Sequence, residues 1–548
     1  MATHTYDYVI VGAGSAGCVL ANRLSEDPEV SVLLLEAGGA DTADFVHIPA
    51  AFAATFRSRN DWDLTTAFEH GADGRRIYLP RGKGLGGSSS INAMIYIRGN
   101  RRDWDEWAAE GCEGWDWAAI EPYFRRAEGN TRGADEVHGG DGPLTVSDPA
   151  YQPELAEQFV AAAEAAGYAR TDDFNGPEQD GVGYYQTTTR DGKRCSAAVA
   201  YLHPVMDRPN LEVRTGVHVG RVVFEGTRAI GVEGERFDEP FAATAEREVL
   251  VCAGTYLTPQ LLTLSGLGRP DELELLMVPV VRELTGVGLN LSDHPTVGGT
   301  WLTGEGTSLK DALTEENLGA WAGGEGPLTS NVASAGGFLR VGEEDTGVPD
   351  VQLHMVSAMF EQEGLVPPPA DGFTLSVCLL RPRARGQVIV VSPDPQTKPY
   401  IDHQYLQDPV DVAVISAGMR AVLEIAAQSP LADGIQAGHM LPDDDSDEAL
   451  ARHVRHTMQT IYHPVGTSKM GPADDPMAVV DPECRVHGVE GLRVIDASVF
   501  PSTPRGNTNA PTIALAERAA DLIRGRGAAG GGGAAASPSE AVPAAPSA

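Results

Sequence analysis

Segment 459–471, QTIYHPVGTSKMG, places a histidine directly before a proline. An imidazole titrates near pH 6.5 and can take a proton from a weak acid as a general base. Pro464 bars His463 from helical backbone, so the ring is carried on extended chain at a set angle. Forty-four residues on (507 − 463 = 44) comes the second group, in PRGNTNAPTIALAERAAD. Asn507 and Asn509 precede a helix with Pro511 near its first turn. Asn509 suits an N-cap, whose side-chain oxygen accepts a backbone N–H. Asn507 lies outside that cap, and capping does not account for it.

The N-terminus carries different chemistry. Gly12, Gly14 and Gly17, with Ala13, Ser15 and Ala16 between them, spell G-x-G-x-x-G after an apolar strand and at the opening of a helix. In that context the glycines permit a sharp turn, let backbone N–H groups approach a pyrophosphate, and point a positive helix end at it. Glu36 ends the next strand, 24 residues after Gly12 (36 − 12 = 24). Its carboxylate can accept from a ribose 2′-OH and repels a 2′-phosphate, which disfavours NADP. The motif does not separate FAD from NAD. A second glycine-dense run, RGKGLGGSSSINAM from Arg81 to Met94, turns hydroxyl-rich and then apolar. Such a loop can lay bare backbone and small hydroxyls along a long polar ligand with an aromatic head.

These groups need elements to hold them. YDYVIVGAGSAGCVLANRLSEDP and SVLLLEAG read as strand, glycine turn, helix and buried parallel strand. From about Asn210, period-2 alternation with turn glycines predicts a small β-meander, and REVLVCAGTYLTPQLL returns as strand, turn and helix. FTLSVCLLRP and GQVIVVSP read as strands of a second domain. PDDDSDEALARHVRHTMQT is an acid-capped helix running towards His463. LRVIDASVF is a further strand, NAPTIALAERAADLIRG a final amphipathic helix, and the Ala/Gly/Pro/Ser run after Arg526 a disordered tail.

Length and composition set bounds. With 548 residues, 42% hydrophobic and 22% charged, the chain is globular and too long for one ordinary core. The 77 acids against 41 bases, a formal charge of −36, exclude nucleic acid and anionic membrane surfaces as partners. Six scattered cysteines, without metal spacing, read as reduced thiols. With no transmembrane stretch, and a strand at the extreme N-terminus in place of a signal peptide, the expected location is cytoplasmic.

GAGSAG with LLLEAG, RGKGLGGSSSINAMIYIRG, AGTYLTPQLLTLSGLG (253–268), GVGLNLSDHP (286–295), YHPVGT and VIDASVFPSTPRGNTNAPT resemble, in order, the motifs of the glucose–methanol–choline (GMC) flavoprotein oxidoreductases. The likeness spans about residues 6–524. It implies an α/β fold: a doubly wound, Rossmann-type FAD-binding domain with an inserted α+β substrate domain on an antiparallel sheet. The expected boundaries are 1–148, 206–296 and 464–525 for the first, 149–205 and 297–463 for the second, and 526–548 for the tail.

The resemblance also implies site residues. Gly12, Gly14, Ser15, Ala16 and Gly17 would hold the pyrophosphate, Glu36 the ribose, and the backbone of Val219 the adenine. Arg81, Gly86, Gly87, Ser88, Asn92, Ala93 and Met94, with Ala253, Asp496 and Asn509, would complete the cofactor site. Where some members carry a histidine for covalent attachment, this chain has Ile91, so the FAD is expected to be non-covalent. The family's catalytic His faces a second His or an Asn, 11 residues after the Asp of the VIDAS strand. Asp496 plus 11 is Asn507, so His463 and Asn507 form the implied pair. His463 would take the hydroxyl proton of an alcohol, Asn507 would hold its oxygen, and the hydride would pass to flavin N5. Ser334 stands where choline-oxidising relatives often carry a Glu, which favours a neutral primary alcohol, with choline the alternative. O₂ and a quinone-like compound are both open as electron acceptor. The rival readings are a non-redox relative such as a lyase, an NAD-dependent dehydrogenase, and a flavin-binding protein without turnover.

Overall fold

The computed structural model describes residues 4–342 and 346–526. The segment expected to be a disordered tail lies, beyond Arg526, outside the described residues.

Two sheets organise the chain. In the first, strands Leu211–Thr215, Val32–Glu36, His4–Val11 and the C-terminal half of Glu239–Val251 run parallel, with Leu492–Val494 on the far side of the last. The apolar run Val32–Glu36 is buried along its whole length, as a strand covered on both faces requires. The N-terminal half of Glu239–Val251 turns instead to Arg228–Arg236, which pairs with Val217–Glu225. The expected meander is therefore shorter by one strand. Gly216, at φ +71°, breaks the run, and Leu211–Thr215 joins the parallel edge beside Val32–Glu36. Helices Ser15–Leu24 and Asn509–Ile523 pack together against this sheet in one core. That core also holds Trp104, Trp107 and Trp115.

Trp107 stacks edge-on to Trp104 with centroids 4.6 Å apart, and its indole N–H donates to Ser502 Oγ at 2.9 Å. Trp107→Ala empties a site that cannot readily collapse and is expected to cost about 3–5 kcal/mol, read as a lowered denaturation midpoint.

The second sheet is antiparallel, in the order Ala437–Met440, Pro295–Leu302, Gly372–Leu379, Val351–Val356, Ala335–Leu339, Gly181–Tyr184; the short Gln459–Thr460 pairs with the start of Pro295–Leu302. Alternation divides its strands by face. Leu353, Met355, Leu375 and Val377 enter a core with the helices Glu154–Ala165 and Pro409–Ala426. Thr296, Gly298, His354, Val356, Thr374 and Ser376 face the other way, into a cavity. The acid-capped helix forms over Asp447–Thr457, with Ser446 accepting from Ala449 N–H at 3.3 Å.

Candidate active site

The cavity, about 610 Å³, runs from the first sheet's carboxyl ends to the polar face of the second. Two helix N-termini open onto it. Neither Ser15–Leu24 nor Asn509–Ile523 has a side-chain cap on its first-turn amides, so both leave partial positive charge facing the cavity. Ser15 Oγ donates to Asn509 Oδ1 at 2.8 Å and ties the two ends together. Asn509 is thus the first helical residue, with Thr508 at the N-cap position, and not the cap that its residue type suggests.

The glycines shape the cradle. A Cβ on Gly17 would lie 1.9 Å from the Gly12 carbonyl oxygen, and Gly12 itself sits at φ +102° with the Cys252 carbonyl 2.4 Å from any Cβ. Gly14 meets only the Gly87 Cα, at 3.9 Å, so its cavity side is open. Glu36 accepts from the backbone N–H of Gly38 (2.7 Å), Gly84 (3.0 Å) and Ala13 (3.0 Å). That carboxylate therefore fastens both glycine loops as well as lining the cavity, a role its sequence position did not show. Asp496 does the same further along, accepting from Gly254 N–H at 2.9 Å and Thr258 Oγ1 at 2.7 Å. Gly12, Gly14, Ser15, Ala16, Glu36, Arg81, Gly87, Ser88, Asn92, Ala93, Met94, Val219, Ala253, Asp496 and Asn509 all line the cavity, as do His463 and Asn507. Gly17 and Gly86 stand outside its lining. An uncapped helix start, bare glycine backbone and a long, mostly apolar bay suit a dinucleotide with a flat aromatic head.

His463 and Asn507 meet, with Nε2 to Nδ2 3.2 Å. The hydrogen bonds fix which nitrogen of His463 is basic. The Leu380 carbonyl lies 3.0 Å from His294 Nε2 and can only accept, so His294 carries its proton there. The other nitrogen of His294, Nδ1, is then a lone pair, and His463 Nδ1 donates to it at 3.0 Å. That leaves Nε2 of His463 as the lone pair, beside the Asn507 amide. Burial pushes the His463 pKa well below 6.5, with His294, His354 and Arg81 adding to the effect. His294 and His354 are pushed down to about 3 and about 4 by burial. The imidazole is neutral and ready to accept.

The backbone at His463 is held from below. Asp293 accepts from His463 N–H (2.7 Å), His294 N–H (2.8 Å), Tyr405 Oη (2.6 Å) and Thr460 Oγ1 (2.6 Å). Arg81 donates to the carbonyl of Tyr462, at 2.6 Å, and Tyr462 takes φ +68°, an uncommon conformation for a bulky residue. Asp293, His294 and His354 were not among the expected site residues. The DHP triplet in 286–295 marked the first two, and His354 has no local signal. Ser334 is buried outside the cavity wall, which its neighbour Ala333 joins. Ile91 lines the cavity and offers no nucleophile for a covalent bond. All six cysteines are free and buried. Among the described residues no helix is long and apolar enough to cross a membrane.

Fold and cavity define a dinucleotide-binding flavoprotein of the oxidoreductase class. The comparisons agree: the GMC oxidoreductase profile matches residues 6–296 and 382–516. The chain is 45% identical to the oxygen-dependent choline dehydrogenase of Stenotrophomonas maltophilia (strain K279a), over 96% of each chain. It is 42% identical to the mitochondrial choline dehydrogenase of Homo sapiens, over 95% of this chain and 90% of that one. The crystal structure of pyridoxine 4-oxidase from Mesorbium loti superposes with a TM-score of 0.87 at 31% identity, covering 95% and 99% of the two chains. This chain belongs to the GMC oxidoreductase family, and it is an FAD-dependent alcohol oxidoreductase.

Proposed function

We propose that His463 and Asn507 carry the oxidation of a neutral primary alcohol to its aldehyde. The observation that supports this reading is the lone pair on His463 Nε2, fixed beside the Asn507 amide in the cavity. Non-covalent FAD, held by the residues around Gly12, Glu36, the loop 81–94, Val219, Ala253, Asp496 and Asn509, supplies the acceptor for two electrons. The substrate hydroxyl takes the place of the direct contact between the two side chains, donating to His463 Nε2 and accepting from Asn507 Nδ2. His463 takes the proton as the α-hydride leaves, and Asn507 holds the growing negative charge on oxygen without titrating. The nucleotide-holding part is assigned to 1–148, 206–296 and 464–525, and the substrate part to 149–205 and 297–463.

The substrate class follows from the sheet face beside the base. Thr296, Thr374 and Ser376 offer hydroxyls there, and none of the strand positions facing the cavity is a carboxylate. A cationic alcohol such as choline is the second reading. It is favoured by the rings of Phe52, Phe56, Phe360 and Tyr462 around the cavity, by buried Glu363, and by the choline dehydrogenase relatives. Choline and its uncharged isostere 3,3-dimethylbutan-1-ol distinguish the two. Anaerobic bleaching of the flavin with equal or higher kcat/KM for the isostere supports a neutral substrate. A preference for choline of 10²-fold or more assigns the cationic one, and no bleaching by any alcohol of a broad panel removes the proposal. The same panel run with O₂ and an artificial quinone in parallel identifies the acceptor class.

The pH dependence has a definite sign. The active form is the neutral imidazole, and burial lowers its pKa, so kcat/KM is expected to hold level from pH 8 to about 6.5 and to fall only below that. An acid limb centred at pH 7 or above contradicts the assignment.

A further inference from the structure

Behind Asn507 lies a chain of hydrogen bonds that the reaction itself does not use. Gln352, on the strand Val351–Val356, is fully buried, and its Nε2 donates to Asn507 Oδ1 at 3.3 Å and to the hydroxyl of Tyr185 at 3.3 Å. Tyr185, also fully buried, donates its own proton to the Leu353 carbonyl at 2.6 Å and accepts from Gly337 N–H at 3.1 Å. Gln352 Oε1 is buried without a partner.

These bonds have one direction. The Leu353 carbonyl can only accept, so the Tyr185 proton is committed and its oxygen is left to accept from Gln352. Gln352 therefore presents its NH₂ group to Asn507, Asn507 presents Oδ1 back, and the Asn507 NH₂ group is left facing His463 Nε2. At the other end the Leu380 carbonyl, through His294, commits His463 Nδ1 as the donor. Two backbone carbonyls from opposite sides of the site thus fix the same proton arrangement. Reversing the Asn507 amide would set its oxygen against the His463 lone pair. Restoring that contact by moving the proton to Nε2 would leave the two Nδ1 atoms as facing lone pairs.

We propose that Gln352, oriented by Tyr185, is a positioning residue that keeps the Asn507 carboxamide turned so that the His463 Nε2 lone pair stays receptive. The inference rests on the His463/Asn507 reading above. It assigns a role to Gln352 and Tyr185 that no motif in the sequence marked.

The titratable groups that face position 352 are Tyr185, His354, Cys378 and, across Asn507, His463. Burial pushes the phenol and the thiol up and both imidazoles down, so all four are neutral over the working pH range. A carboxyl introduced there is the one added group that titrates. Gln352→Glu is the sharpest probe. Ionised, the new side chain only accepts, so Asn507 turns its NH₂ to it and sets Oδ1 against His463. Protonated, it can donate as the amide does. Burial raises a carboxyl pKa above its usual value near 4.3. The expected result is a kcat that rises as pH falls from 8 to about 6.5, the range over which wild type is level.

Gln352→Met keeps the volume and removes both bonds. It is expected to lower kcat about 10-fold with KM little changed. Tyr185→Phe is expected to lower kcat about 3-fold alone and to add nothing in the Gln352→Met background, because it acts through Gln352. Flavin content and melting temperature serve as controls in each variant. The relay is overturned if kcat of Gln352→Glu and Gln352→Met matches wild type while His463→Ala is inactive. It is equally overturned if the Met and Phe losses multiply and the Glu variant shows no rise towards low pH, since that pattern describes packing alone. If His463→Ala keeps full activity, the base reading itself fails, and this separates the two failures.

Discussion

His463→Ala is expected to give a yellow, folded protein whose flavin is reduced by alcohol on the order of 10²-fold or more slowly than wild type. The size follows from the chemistry. An alcohol proton is too weakly acidic to leave unaided, and the hydrogen bonds aim the lone pair of His463 Nε2 at the Asn507 amide. Flavin content is expected to stay normal, because the cradle at Gly12 and the tie from Ser15 to Asn509 do not involve the imidazole. The protein can lose its base without losing its fold. Removing the ring does leave His294 Nδ1 without a donor, a cost of about 1–3 kcal/mol in stability. Stopped-flow reduction under anaerobic conditions reads the effect directly, and reduction at the wild-type rate would show that some other group takes the proton.

Gly17→Ala is expected to yield a nearly colourless protein. Its Cβ would sit 1.9 Å from the Gly12 carbonyl oxygen, well inside any real contact, and 3.0 Å from that residue's carbonyl carbon. Gly12 cannot retreat easily, because the Cys252 carbonyl already crowds its other side. The turn must move, and with it the amides of residues 14–16 that line the cavity. Overpacking of this kind costs about 1–3 kcal/mol, and if it falls on the bound form the FAD affinity drops by roughly 10- to 10²-fold. The ratio of absorbance near 450 nm to that at 280 nm after gel filtration measures it. Full flavin occupancy in the variant would mean that this turn is not the diphosphate cradle.

The parts of this site legible in the sequence are those whose geometry is set within a few residues. The turn at Gly12–Gly17 and the break at Pro464 are decided by backbone sterics, and the local string of residues states them. The DHP and VIDAS segments were visible as motifs, while the jobs of Asp293 and Asp496 were not. Each carboxylate collects donors from chain segments far away, such as Thr460 and Tyr405 for Asp293. Gln352 and His354 carried no signal at all. They lie on the sheet face away from the Leu353 core, and His354 lines the cavity, because the strand Val351–Val356 pairs with Gly372–Leu379 in one register; a slip by one residue would turn them into the core. The meander shows the same limit from the other side: alternation gave the strands, but the partner of Leu211–Thr215 was set by a segment nearly two hundred residues earlier.

The Ser15–Asn509 hydrogen bond joins positions 494 apart in the chain. During synthesis, the dinucleotide pocket therefore lacks one wall until Asn509 has been added. The strand Leu492–Val494 closes the parallel sheet at the same late moment. A nascent polypeptide stalled on the ribosome short of this region has the glycine turn but neither the second helix start nor the carboxamide. Tight retention of the coenzyme thereby becomes a report that the chain has been made through this second helix.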